Sequence, residues 1–232
     1  VWSWHVWDHL VQNVDSDKKN YGTIEDNPRL IDLNYVAVND GDITHANGIA
    51  FDADNDLIYL SVNFYSEVWV IDHSTTTSEA ASNSGGTRGF GGDLIYRFGN
   101  PRAYKNTKGQ VLFDHNHHPN LLNGENNGNI LIFSNGFTSD KSTVYELQLP
   151  NNLQLEADKN NEPKVVWSFT NDNLFSPKVS GAARLSNGNT LITEGDFGLW
   201  EVKKDGSIVW QFEQPGFYWR AYPYQKSGIT IA

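Results

Sequence analysis

The chain has no cysteine and no methionine among its 232 residues. Without thiols there are no disulfides, no thiolate metal site and no cysteine nucleophile. No run of about 18 apolar residues occurs, so no helix is expected to span a membrane. Helical periodicity is scarce as well: no long segment places apolar residues at i, i+3, i+4 and i+7, whereas two-residue alternation recurs, as along 67–72. Positive charge is in deficit, with 17 Lys and Arg against 28 Asp and Glu and a net charge of −11. Such a surface argues against nucleic acid and against anionic membranes as partners. A phosphate loop ending in Lys-Ser/Thr and a G-x-S-x-G elbow are both missing, and nothing in the sequence implies a cofactor.

What is present is a repeat. Aromatic residues make up 13% of the chain, and Gly and Asn are dense between short apolar runs, as turn-rich β proteins require. A first run and a second run occur at 47–51 and 57–61, again at 120–122 and 129–134, and again at 183–185 and 189–193. A third run follows each time, at 67–72, 143–149 and 199–203, and a fourth, aromatic one closes each unit at 94–98, 165–169 and 208–212. Four strands per unit is the pattern of a β-propeller blade. The expected fold is therefore all-β, a partial propeller over 1–232. Its blades are placed at 45–98, 115–169 and 180–212, with a closing strand or tail at 213–232. Residues 1–6 (VWSWHV) read as an orphan outer strand, and the rest of 1–44 as a long connection. Propellers close with about four to eight blades, so three blades read as part of a larger ring. The remaining blades would lie on another segment or chain, or come from self-association. The Gly/Ser-rich stretch 74–92 reads either as a disordered insertion or as a lid over the channel mouth.

In a propeller the innermost strands line the axial channel. Counting five residues back from Ala50, Leu122 and Leu185 puts His45, His117 and Ser180 at matching positions. His45 and His117 are thus expected to converge, and imidazole can act as base, acid or nucleophile near neutral pH. Asn47, two residues on from His45, shares its strand face and offers an amide to anion oxygens. Two metal readings are weaker. His115 and His117 share a face by period two but lack a third ligand fixed by spacing. Residues 52–56 (DADND) resemble the start of a calcium loop without its glycine and glutamate, and sit where a hairpin turn is needed. No metal site is assigned.

Several stretches resemble bacterial arylsulfotransferase (aryl-sulfate sulfotransferase) propellers: 4–12 (WHVWDHLVQ), 45–49 (HANGI), 66–77 (SEVWVIDHSTTT), 91–101 (GGDLIYRFGNP), 187–192 (NGNTLI) and 220–222 (RAY). The resemblance covers nearly the whole chain. It implies a six-bladed ring, export to the periplasm or secretion, and transfer of a sulfuryl group from an aryl sulfate to a phenol through a histidine, without a nucleotide cofactor. It places His45 and Asn47 on the family's inner-strand His and neighbouring Asn, and His117 on the His of a His-Asp pair whose Asp is here His118. Asn63 stands where relatives often carry Arg, and Lys141 is the one cation of 135–141. The resemblance thus implies His45 and His117 as catalytic residues, and Asn47, His118, Asn63 and Lys141 as substrate-binding ones. A non-catalytic exported propeller that binds a ligand or a partner protein is the other reading, because fold alone does not settle activity.

Overall fold

The alternating segments become strands in the computed structural model, which describes residues 1–37, 40–123, 128–156 and 158–224. β1 (Leu10–Val11) and β2 (Ile31–Asp32) form a short parallel pair. Three antiparallel sheets of four strands follow. Sheet 1 holds β3 (Ala46–Asp52), β4 (Leu57–Val62), β5 (Glu67–Asp72) and β6 (Tyr96–Phe98). Sheet 2 holds β7 (Asn116–Leu121), β8 (Asn129–Ser134), β9 (Thr143–Gln148) and β10 (Lys164–Thr170). Sheet 3 holds β11 (Gly181–Arg184), β12 (Thr190–Glu194), β13 (Gly198–Val202) and β14 (Ile208–Glu213). Strands neighbour one another in chain order within each sheet, so every link is a hairpin.

Alternation decides which face packs where. Along β8, Ile130 and Ile132 face sheet 1, where they join Tyr59, Val70 and Phe98 in one core. Leu131 and Phe133 face sheet 3, where they join Ile192, Trp200 and Val202 in another. A third core lies on the far side of sheet 1: Val62, Trp69 and Ile71 are covered by Ile31 and by partly buried Trp2, Trp4, Val6 and Leu10. The far side of sheet 3 carries no such cover among the described residues, and Trp210 and Phe212 are exposed there.

The turns follow their residues. Gly188 and Gly206 both have φ +85°, in the hairpins of sheet 3 where the sequence placed Asn-Gly and Asp-Gly. Asp52 Oδ1 accepts from the backbone N–H groups of Asp54 and Asn55, which makes 52–56 the hairpin turn.

Three expectations need correction. Residues 1–5 are not a strand, and 6–8 form a 3₁₀ turn. No strand lies beside them among the described residues, so their indoles anchor them instead: Trp2 Nε1 donates to Thr75 Oγ1 at 3.0 Å and Trp4 Nε1 to the Gly92 carbonyl at 2.7 Å. Residues 214–224 form no strand either, and 225–232 lie outside the described residues. The segment 74–92 is not a lid over the mouth that carries His45. Ala46 pairs with Val62 at one end of sheet 1, whereas Leu57 pairs with Asp72 at the other, and 74–92 departs from Asp72. It is ordered by α1 (Thr77–Ala80), whose Thr76 and Glu79 form a reciprocal capping box. It is also ordered by the buried His9, which hydrogen-bonds the Ala80 carbonyl and Asp93, each at 2.8 Å.

Candidate functional site

The inner strands β3, β7 and β11 meet closely because small residues face the contact. A Cβ at Gly48 would reach Pro119 Cδ at 2.6 Å, and one at Gly181 would overlap the His118 ring. His45, His115, His117 and His118 gather around this contact.

Their register differs from the one counted in the sequence. Ala46 pairs with Val62 and Asn116 with Ser134, the last residues of β4 and β8. The residue level with His45 is therefore His115, and the residue level with His117 is Asn47. Backbone geometry agrees: His45 and His115 adopt left-handed φ of +46° and +57°. On sheet 3, β11 starts at Gly181, so Ser180 is level with Ala46 and Asn116. The count failed because the connection from β7 to β8 (122–128) is longer than that from β3 to β4 (53–56). Ser180 is fully buried and spends its hydroxyl locally, donating to the Lys178 carbonyl and accepting from the Gly195 N–H.

His117 is buried, and its Nδ1 lies 2.7 Å from Asn135 Oδ1. Asn135 Nδ2 donates to the carbonyls of Ser176 and Val179, which turns Oδ1 toward His117. An amide oxygen only accepts, so Nδ1 carries the proton and Nε2 the lone pair. Burial pulls this imidazole well below its ordinary range, to about 4, so it is neutral at pH 7. The charges of His45, Arg220 and His115 act in the same direction.

His118 is buried with φ +56°, and its Nδ1 has no hydrogen-bond partner. Burial, then the charges of Arg220 and His117, lowers it to about 4. Tyr222 meets it edge-on, ring centroids 5.8 Å apart. His45 is half exposed and stacks on Phe64 at 4.7 Å, with Nδ1 2.5 Å from Asp42 Oδ2. That hydrogen bond holds Asp42 below the usual carboxylate range. His115 packs against Phe137 and lies 3.1 Å from Asp114 through Nδ1. It precedes β7 with a left-handed backbone, so it does not share a strand face with His117. Among the described residues no group of three His, Asp or Glu side chains is placed to hold a metal.

The expected substrate-binding residues divide. Asn47 is a bulged residue whose Nδ2 donates to the Asn116 carbonyl at 2.8 Å, while its Oδ1 is buried without a partner. Asn63 is buried and donates to the same carbonyl, which ties sheet 1 to β7. Lys141 pairs with Asp172 at 2.6 Å on the surface. Two residues near these histidines were given no role in the sequence reading, Asn135 and Arg220, and His115 was read only as half of a metal pair. Asn135 was legible as the counterpart of Asn63, since each follows the second strand of its sheet. Arg220 sits in a segment with no periodicity to place it, and its Nη2 donates to the Asn47 carbonyl.

Comparison with known proteins gives one family and two structural likenesses. The family profile described as Arylsulfotransferase (ASST) matches residues 1–215. No curated protein matches the chain. Among solved structures, the β-propeller domain of Cps50 (Swd1) from Myceliophteria thermophila is 14% identical, with a TM-score of 0.43 over 73% of this chain and 41% of that one. BamB from Moraxella catarrhalis is 13% identical, with a TM-score of 0.40 over 72% of this chain and 38% of that one. The chain thus spans about two fifths of the length of these structures. Among the described residues, no helix is long and apolar enough to cross a membrane.

Proposed function

We propose, from the premise that this chain belongs to the arylsulfotransferase family, that it carries part of a centre moving a sulfuryl group from an aryl sulfate to a phenol through His117. The observation that supports this most is the state of His117: buried, neutral, and held by Asn135 in the tautomer whose Nε2 lone pair is available. A nucleophile at sulfur needs that lone pair, and a protonated imidazole would not have it.

His117 Nε2 forms a bond to sulfur, the S–O(aryl) bond breaks, and the phenolate leaves with the electron pair. The acceptor phenol oxygen then attacks the same sulfur, the N–S bond breaks back onto Nε2, and the phenol proton passes to a base. His45 suits that last role, because Asp42 fixes its ring through Nδ1 and leaves Nε2 for proton exchange. In this reading Asn47 and His118 supply the amide and the imidazole that meet the sulfuryl oxygens. In the same reading the three sheets are blades of a six-bladed ring, and the whole protein is exported.

Turnover of 4-nitrophenyl sulfate with phenol by the intact protein tests the reading. Release of 4-nitrophenol that falls at least about 100-fold in His117→Ala is expected, the scale of losing an essential catalytic group. No release, or release unchanged by His117→Ala, rejects it.

A further inference from the structure

The connection from β9 to β10 runs from 149 to 163 and meets the core between sheets 1 and 2, against which Leu149, Leu153 and Leu155 pack. It belongs to sheet 2 but is tied to sheet 1. Tyr96 on β6 donates its hydroxyl to the Asn161 carbonyl. The Gly99 N–H donates to Glu162 Oε2 at 2.6 Å, and Asn106 Nδ2 donates to the Lys159 carbonyl at 2.9 Å. Asn161 fixes the local loop by exchanging two hydrogen bonds of 3.0 Å with the Glu156 backbone.

Among these ties only that of Glu162 uses a carboxyl. Its Oε2 has one backbone donor, and its Oε1 is buried without a partner. The groups facing it are Glu67 on β5, Tyr96 and Arg97 on β6, and Tyr104 in the 3₁₀ turn 101–104. Arg97 is already committed to Glu67 and to the Leu30 carbonyl, and the Tyr104 hydroxyl is itself buried without a partner. On the segment of Glu162 itself, Glu156 and Lys159 pair with each other at the surface. An ionised carboxylate in this place would hold one N–H and face a second carboxylate, which is costly away from water; a proton removes that charge. Burial accordingly pushes the Glu162 carboxyl up to about 8, against the Gly99 N–H, with Glu67 adding to the rise and Arg97 opposing it.

We infer that Glu162 is a proton-operated latch: as a neutral acid it holds the connection from β9 to β10 on sheet 1, and on losing its proton it lets residues 158–163 lift from β6 and Gly99. Asn161 and Glu162 are consecutive, so the ties from Tyr96 and Gly99 are lost together. The docked segment binds a proton that the lifted segment releases. Docking is therefore strongest below the ordinary carboxylate range, weakens as pH rises through neutrality, and reaches its floor above about 8.

The test is hydrogen exchange of the intact protein by mass spectrometry at pH 5.5 and pH 7.5, each referenced to the unfolded chain at the same pH. Protection of 158–163 should fall about tenfold per pH unit, the linkage of one proton, and stay below that of β12 and β13. Glu162→Gln keeps an acceptor for Gly99 and removes the titration, so its segment should be equally protected at both pH values. Protection that does not change with pH in the unaltered protein overturns the latch. So does a slope retained in Glu162→Gln, or a segment left unprotected in that variant at pH 5.5. Exchange of 158–163 at the rate of β12 and β13 overturns it too, because the segment would then open only with the whole molecule. Infrared spectra of the unaltered protein give a readout that needs no variant. The carbonyl stretch of a protonated carboxyl should persist at pH 7 and vanish with a midpoint of about 8, and its absence at pH 7 rejects the inference.

Discussion

The buried pair of Glu67 and Arg97 supplies the sharpest test of how sheet 1 is held together. Both side chains are fully buried. Arg97 Nε donates to Glu67 Oε1 at 2.9 Å and Nη2 to Oε2 at 2.5 Å, while Nη1 donates to the Leu30 carbonyl at 2.9 Å. Trp69 Nε1 adds a third donor to the carboxylate at 2.8 Å. Arg97→Met keeps most of the apolar stem and removes both fork hydrogen bonds, leaving a buried carboxylate with the indole alone. Breaking one side of a buried pair costs about 3–5 kcal/mol. For a domain of this size that lowers the melting temperature by roughly 10 °C. Adding Glu67→Gln removes the stranded charge and keeps an acceptor for Trp69, so the double variant should recover most of the loss. Urea unfolding followed by tryptophan fluorescence measures both, because Trp69 is itself buried in this core.

The pH dependence gives a second readout of the same pair. Burial raises the Glu67 carboxyl above its ordinary range, and Arg97 opposes that rise. Without Arg97 only the Trp69 hydrogen bond opposes the rise, so the folded variant binds a proton that the unfolded chain releases. Stability of the variant therefore increases as pH falls below the folded pKa, and its deficit narrows in acid. A single variant within about 1 kcal/mol of the parent, or a double variant worse than the single, would refute the account of a charged pair bridging β5 and β6.

Two further predictions concern the rest of the molecule. Burial pushes the Glu162 carboxyl up to about 8, although the Gly99 N–H donates to it at 2.6 Å; stability should decline as pH rises from the ordinary carboxylate range toward about 8, and Glu162→Gln should flatten that slope in urea midpoints measured from pH 5 to 9. Gly181→Ala would drive a methyl into the His118 ring; a loss of about 1–3 kcal/mol with shifted His118 resonances is expected, and an unperturbed spectrum would contradict the packing described.

Much of the fold was legible because its causes are local. Period-two runs ended by Asn-Gly and Asp-Gly mark the strands of sheet 3, and the third and fourth runs fall on the third and fourth strands in every sheet. Residues 1–6 misled because an aromatic alternating run looks the same whether it pairs in a sheet or lies over one; only a neighbouring strand decides, and that is not a local property. The site was legible in residue type and not in register. The expected alignment of His45 with His117 failed because register depends on bulges and on the longer connection from β7 to β8, which shift every count made from the far end of the strand. Arg220 was beyond reach for a different reason. Its position comes from how an irregular segment folds back across two sheets, and no spacing rule encodes that.

The contact of Gly48 and Gly181 with residues 118 and 119 has a mechanical meaning. His118 fills the notch where three inner strands come together, so it works as the pin of a joint whose leaves are the sheets. A rotation of one sheet against its neighbour has no slack there to absorb it, and would be passed directly to the two adjacent imidazoles. Distant substitutions that loosen the packing between sheets should accordingly read out as shifted imidazole resonances of His117 and His118.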